Sequence, residues 1–311
     1  TEVVSKKETT TEEKEFEDVV PEEKVSMLPI SDYIVKEFLT TQQAPVPSTV
    51  STPPSVITVN GEYYNPQEAI ARLISVEIDV TNYEVEAVKA QAVAVYSFLK
   101  YRNNGYVIEG VVISDTCPDD ILKIVESVFG QFVSMNNNVV ITPYHNLSVG
   151  RTLSVAEYLP YLQSVTIATV PEMSAESNKT VKKISLDDMK KMLLSFDNQF
   201  LLSDDPSTWI SITHDSAISS EVGNIVSVKI GGKSFVGPTL RSLILGQDVL
   251  VSGCCSIQYI ESEQAFEITS YGQGDAVGMS LAGANYMAKN GSDYKTILST
   301  YYVGTTIAVE A

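Results

Sequence analysis

Gly272-Gln273-Gly274-Asp275-Ala276-Val277-Gly278-Met279-Ser280-Leu281-Ala282-Gly283-Ala284 is a glycine-studded loop that runs straight into a small-residue helix. Four glycines in twelve residues fix a particular loop geometry, because glycine takes positive φ without steric cost and admits another backbone or a ligand closely. Ser280 stands where it can cap the helix or hold a ligand. Asn285-Tyr286-Met287-Ala288-Lys289-Asn290-Gly291 closes that helix, with Lys in the last turn and Gly after it. Loops held on a rigid scaffold are where sites concentrate.

Working outward, Ile257–Ile260 and Ala265–Ile268 read as paired strands around an acidic turn. Ile225–Ile230, Gly231-Gly232 and Ser234–Val236 form a hairpin, and Thr239–Leu245 a short helix. Leu186–Phe200 is an amphipathic helix behind a Ser185 cap, with Asp187 and Asp188 in its first turn. The clearest helix spans Asn82–Arg102, where Val85, Val88, Ala92, Val95 and Leu99 recur at helical spacing, Asn82 caps and Asn104-Gly105 ends it. Helices are also expected at Pro66–Val76 and 119–129, strands at Ser55–Val59, Val139–Thr142 and Leu162–Val170, and a hairpin turn at Asn60-Gly61. Helices and strands interleave without regular βαβ spacing. The expected fold class is α+β, with mixed, mostly antiparallel sheets and packed helices.

Residues 1–26 are rich in Glu, Lys and Thr and cannot bury enough apolar surface to offset their ordering entropy. Residues 40–54 carry Pro45, Pro47, Pro53 and Pro54 and read as an extended linker, with a short helix over Leu28–Phe38 between the two. Residues 1–54 are therefore expected to be a disordered acidic spacer before a single domain over 55–311.

The 311 residues are 44% hydrophobic, enough for a sizeable core, and carry a formal charge of −18 from 39 acids and 21 bases. Residues 1–24 hold nine acids and four lysines, so −13 of that charge lies elsewhere. Such a balance excludes nucleic acid as a partner, since phosphate neutralisation needs a basic face. Cys117, Cys254 and Cys255 form no CxxC pair and there are two histidines, so neither a metal site nor a cofactor is expected. The cysteines read as small buried hydrophobes. No stretch reaches the roughly 18 apolar residues of a membrane-spanning helix, no signal peptide is visible and the chain starts at Thr1. Removal of an anchor or export signal fits these facts.

Three separated segments, in order, resemble the stage II sporulation protein D family, lytic transglycosylases of bacterial peptidoglycan. Ser75-Val76-Glu77-Ile78-Asp79 followed by Glu86-Ala87-Val88-Lys89-Ala90-Gln91-Ala92 is similar to a Glu, a short loop and an "EALKAQA" helix. Tyr144-His145-Asn146-Leu147-Ser148-Val149-Gly150-Arg151-Thr152 resembles "YHSTSGGRT", with Tyr158–Leu162 after it. Val277–Ser280 with Gly283-Ala284 resembles the glycine-rich C-terminal motif, and Ile297–Thr305 follows it. The resemblance covers roughly residues 56–308.

Glycosidic cleavage ordinarily uses two carboxylates, but a lytic transglycosylase can use one, first as acid and then as base, while the sugar's 6-hydroxyl closes an anhydro ring. A carboxyl with raised pKa suits this. By resemblance that group is Glu77, behind the apolar run Leu73-Ile74. The alternative is a surface Glu at a helix end, and Glu84, Glu86 and Asp79 stand nearby. The resemblance implies substrate contacts from Lys89, Gln91, Tyr96, Tyr144, His145, Ser148, Arg151, Asp275 and Ser280. Lys89 would meet the lactyl carboxylate or else face solvent. His145 is either a site residue or a buried hydrogen-bonder, His214 reads as a surface turn residue, and Trp209 as core.

The chain departs from the family pattern where Tyr96 stands for an Arg and where Asp275, Ala276 and Leu281 stand for His, Gly and Gln of "GHGVGMSQ". One residue is inserted between Glu77 and Glu86. A groove more acidic than the family's would repel a carboxylate-bearing glycan. The expectation is a lytic transglycosylase acting on peptide-stripped glycan strands, in cell-wall remodelling during sporulation and engulfment. The alternative is a silent glycan-binding or scaffolding relative. The resemblance further implies stage II sporulation proteins M and P as partners and an extracytoplasmic place, tethered to the membrane by an N-terminal segment. A flexible 54-residue spacer spans about 40 Å.

Overall fold

The computed structural model describes residues 27–41, 46–47, 52–167, 178–215 and 222–310. Expectations for residues 1–26 lie outside them. Seven α-helices occur among the described residues: α1 (Ile30–Thr40), α2 (Pro66–Ser75), α3 (Val85–Tyr101), α4 (Asp119–Val128), α5 (Leu186–Phe196), α6 (Leu281–Lys289) and α7 (Tyr294–Tyr301).

Two hydrophobic cores organise the chain. The first is built from both ends of the described chain, residues 30–162 and 276–302. Its axis is α3, whose residues Ala87–Lys100 are almost all buried because α2, α4, α6 and α7 and the strand Gln131–Met135 surround it. That strand pairs antiparallel with Asn138–Val139 and with Thr306–Val309. The second core lies wholly within residues 189–268. Its sheet is antiparallel throughout, in the order Lys233–Val236, Gly223–Ile230, Cys254–Ile260, Ala265–Tyr271, Lys179–Ser185, with Ile210–His214 also on Gly223–Ile230. α5 and the buried π-helical turn Leu240–Leu245 pack against each other on this lobe. Among the described strands, parallel pairing joins Thr58-Val59 with Val107-Ile108 and Tyr144-His145 with Met279-Ser280, with isolated parallel bridges such as Leu153 with Val277, so the fold is α+β with mostly antiparallel sheets.

Most elements fall where their local chemistry puts them. Asn60 and Gly61 both have positive φ and turn Ile57–Val59 into Glu62–Tyr64. Asn65 accepts from the Gln67 and Glu68 amides to cap α2, and Ser185 accepts from the Asp188 amide to cap α5. Trp209 is core, its ring tilted against Phe266, and Cys254 and Cys255 are buried.

Several expectations are corrected. Asn82 does not cap α3: its side chain donates to Asp79, and the α3 entrance is held instead by Asn285, which accepts from the Glu84 amide at 2.7 Å. The strand at Val139–Thr142 stops at Val139, because the Thr142 hydroxyl donates to the Ala94 carbonyl at 2.7 Å and draws the chain off the sheet. At 162–167 there is only an isolated bridge, Arg151 with Thr166. α5 ends at Phe196, where Phe200 turns back against Phe235. His214 lies half-buried in a strand, not in a surface turn.

The segment read as a spacer is partly built into the first lobe. Ile30 and Ile34 of α1 belong to the first core, and Val35 is buried as well. At roughly 1.5–3 kcal/mol for each side chain, they offset the ordering of the helix. Leu28 bridges Val111, and Val46-Pro47 pairs with Asn138-Val139.

Candidate active site

Glu77 follows the end of α2 in a tight turn, its amide donating to the Ile74 carbonyl at 3.0 Å. Leu73, Ile74 and Ile78 around it are core residues. Three donors from distant parts of the chain converge on its carboxylate. Tyr144 Oη donates to Oε2 at 2.6 Å, Gln91 Nε2 to Oε2 at 3.0 Å, and the Ser31 amide to Oε1 at 2.9 Å. Burial pushes the Glu77 pKa up to about 7, against the opposing pull of the Ser31 and Tyr144 hydrogen bonds, and the nearby Asp32 adds to the rise. Tyr144, fully enclosed beside this carboxylate, is raised well above the ordinary phenol range by burial and by Glu77. Gln91 is completely buried.

The glycine loop positions Tyr144. Met279-Ser280 pairs parallel with Tyr144-His145, and the Met279 amide donates to the Pro143 carbonyl at 3.1 Å. That approach requires Gly278: at φ +71° a Cβ would sit 1.9 Å from the Pro143 oxygen. Gly274, at φ +100°, lies against His145, where a Cβ would come within 2.6 Å of the histidine Cβ.

His145 Nδ1 lies 3.1 Å from the Val277 carbonyl, which makes Nδ1 the protonated nitrogen of a neutral ring and leaves the buried Nε2 without a hydrogen-bond partner. Burial drives its pKa down to about 4, and the charge of Arg241 acts in the same direction. Ser280 is a helix cap, accepting from Gly283 at 3.2 Å and from the Ser148 amide at 3.5 Å.

The other expected substrate contacts are not gathered at Glu77. Lys89 pairs with Glu86 at 2.7 Å and lies over the Tyr294 ring. Tyr96 donates to Glu310, which also pairs with Lys100 at 2.6 Å, in a buried cluster at the far part of α3. Arg151 pairs with Asp215 at 3.2 Å. Asp79 caps a short turn by accepting from Thr81.

Asp275 does not add a free negative charge to the groove. It is 2% exposed. Its Oδ2 accepts from Arg241 at 2.9 Å and from the Ser242 hydroxyl at 2.8 Å. Burial raises its pKa to about 6, opposed by Arg241.

Four participants escaped the sequence. Ser31 and Asp32 sit in the first turn of a helix assigned to the spacer, and nothing local tells that the turn lands on a residue 46 positions later. Arg241 and Ser242 carried a signal: a guanidinium inside the apolar run Leu240–Leu245 demands buried anions. Both lobes contribute to the cleft beside Ser31 and Asp32, which Asn146 and Gln273 line from the first and Lys182 and Arg241 from the second. Among the described residues no cluster of His, Cys, Asp and Glu is placed to hold a metal ion, and no helix is long and apolar enough to cross a membrane.

Fold and site together define a two-lobed α+β protein that keeps one protonatable carboxyl, gripped by a tyrosine and a glutamine, beside the seam between its lobes. No protein-family model matches the chain. Stage II sporulation protein D of Bacillus subtilis (strain 168) is 25% identical over 260 residues, spanning 81% of this chain and 70% of that protein. That likeness supports a divergent member of the stage II sporulation protein D family.

Proposed function

We propose that the protein is a peptidoglycan lytic transglycosylase with Glu77 as its single acid and base. One observation carries this reading: a carboxyl with pKa about 7, held by Tyr144 and Gln91 where three separated segments meet. Such a group is about half protonated at neutral pH and, once ionised, is stabilised by three donors. As acid, Glu77 gives its proton to the glycosidic oxygen while the bond from that oxygen to the anomeric carbon breaks. As base, it takes the proton of the muramic 6-hydroxyl while that oxygen bonds to the anomeric carbon. The products are a free 4-hydroxyl and a 1,6-anhydro ring, with no water consumed. Kinship with a stage II sporulation protein supports a role in sporulation, and wall remodelling there is the setting this chemistry fits. An extracytoplasmic place with an N-terminal tether, and sporulation proteins M and P as partners, belong to the same proposal.

A second reading, a silent glycan-binding relative, is favoured by the Ser31 amide, which occupies Glu77 Oε1. Incubation of the purified chain with peptide-stripped glycan strands, followed by mass spectrometry of the products, separates the two. Anhydro-muramic ends formed by the native chain and absent with Glu77→Gln establish the enzyme. Retained binding without such ends, or equal product from both proteins, removes the catalytic role from Glu77.

A further inference from the structure

Both carboxylate oxygens of the proposed acid are engaged by other groups. Glu77 Oε2 faces Tyr144 and Gln91, and Oε1 faces the Ser31 amide. A backbone N–H has no lone pair to receive a proton, so with Ser31 in place Oε1 cannot deliver one to a glycosidic oxygen. Ser31 lines the cleft, and Glu77, itself only partly buried, does not. The first turn of α1 thus touches both the carboxyl and the space a ligand would enter.

What holds that turn is the residue after Ser31. Asp32 receives both terminal nitrogens of Arg241, Nη1 on Oδ1 and Nη2 on Oδ2 at 3.3 Å. This fork on a carboxylate is the arrangement Arg makes with any carboxylate that reaches it. Arg241 also lines the cleft, next to Lys182. It does not depend on Asp32 alone, because Asp275 stays on Nη1 at 2.9 Å. Departure of Asp32 thus leaves no uncompensated buried cation, which would otherwise be prohibitive. The cleft has a volume of about 270 Å³, near the lower bound of about 300 Å³ for ligand pockets.

Resting on the proposed glycan reading, we propose that Asp32 occupies the place of a ligand carboxylate on Arg241. A glycan carrying a carboxylate, such as the lactyl group of a muramic sugar, exchanges with Asp32, frees the first turn of α1 and uncovers Glu77. The carboxylate of the substrate is then the signal that opens the site, and strands lacking it are neither held at Arg241 nor brought to the acid.

The test uses the full chain and peptide-stripped strands in two forms, native and with the carboxylates reduced to primary alcohols. Binding is measured by calorimetry, and amide hydrogen exchange over residues 29–35 is followed by mass spectrometry. Native strands are expected to bind and to speed exchange of the Ser31 amide, while reduced strands bind at least roughly fivefold more weakly. Asp32→Asn, which keeps the side-chain shape and removes the competing charge, is expected to bind native strands roughly five- to tenfold more tightly. Equal binding of both strand forms, unchanged exchange at 29–35 under saturation, or weaker binding by Asp32→Asn overturns the inference. If reduced strands are nonetheless cleaved by a Glu77-dependent reaction, the inference falls and the catalytic reading stands. If native strands bind with the expected exchange but are not cleaved, the inference stands and the catalytic reading falls. Absence of binding to either form removes both.

Discussion

Tyr144 Oη and Glu77 Oε2 lie 2.6 Å apart although 67 residues separate them in the chain. A phenol raised well above its ordinary range remains a donor at every accessible pH, and a carboxyl raised to about 7 changes state in the middle of it. The contact favours the ionised carboxyl and so sets how far burial can lift it.

Replacing Tyr144 with Phe removes the donor that lowers the Glu77 pKa. The alkaline limb of the kcat/KM profile for strand cleavage, expected near pH 7 in the native protein, should move up by about one pH unit, the equivalent of one charge-assisted hydrogen bond. A limb that stays in place would show that Glu77 is not the titrating acid.

Stability should fall as pH rises across the same range. Folded Glu77 keeps its proton to about pH 7, whereas the unfolded group releases it near 4.5. Its contribution is therefore fully present below about 4.5 and lost as pH passes through about 7. Glu77→Gln has nothing to ionise and should be roughly 3 kcal/mol more stable than the native protein at pH 8, with the two converging near pH 4. Urea unfolding at both pH values gives the comparison.

Tyr96 stands where the family carries an arginine, yet it serves the fold. Its hydroxyl meets Glu310, and its ring packs against Phe129 and Tyr106. Tyr96→Phe should cost about 1–2 kcal/mol of stability by chemical denaturation, because a bond to a charged acceptor is lost. Strand cleavage should stay within about twofold of native at 25 °C. A selective loss of affinity for glycan at full stability would return Tyr96 to the binding surface.

Gly278→Ala should be severe. The added Cβ meets the Pro143 oxygen at 1.9 Å and the backbone is in the left-handed region. A loss of at least about 3 kcal/mol is expected from clash and backbone strain together. The Tyr144-His145 pairing should loosen with it, read as a larger amide exchange at Tyr144 than at the remote Ile257.

Much of the scaffold was written in local chemistry. The apolar spacing from Val85 to Leu99, the Asn60-Gly61 turn and the Ser185 cap each act over a few residues, and each formed where expected. Glu77, Gln91 and Tyr144 were legible because the motif residues are recognisable, and the structure brings these three together. Lys89 misled because helical position alone does not say whether Glu86, three residues earlier, will claim its charge. The role of Asp275 was hidden for a related reason: its partner Arg241 is 34 residues away in the other lobe. Composition also overstated the spacer. Leu28–Phe38 is short, but its apolar residues share one face, and a face of that kind is ordered once a core exists to receive it.

The first core needs α1 and residues 276–302, and its sheet needs Thr306–Val309, whereas the second core is complete within residues 189–268. During synthesis the second lobe can therefore fold as soon as it leaves the ribosome. The first must hold Ile57, Val88 and Phe132 unclosed until the strand Thr306–Val309 has been made. Glu77 meets Tyr144 early in that order, but its proton acquires a fixed environment only when the glycine loop near the end of the chain has been made. The fixed environment of this carboxyl is in this sense a late property of the polypeptide, withheld until the lobe that carries it has closed.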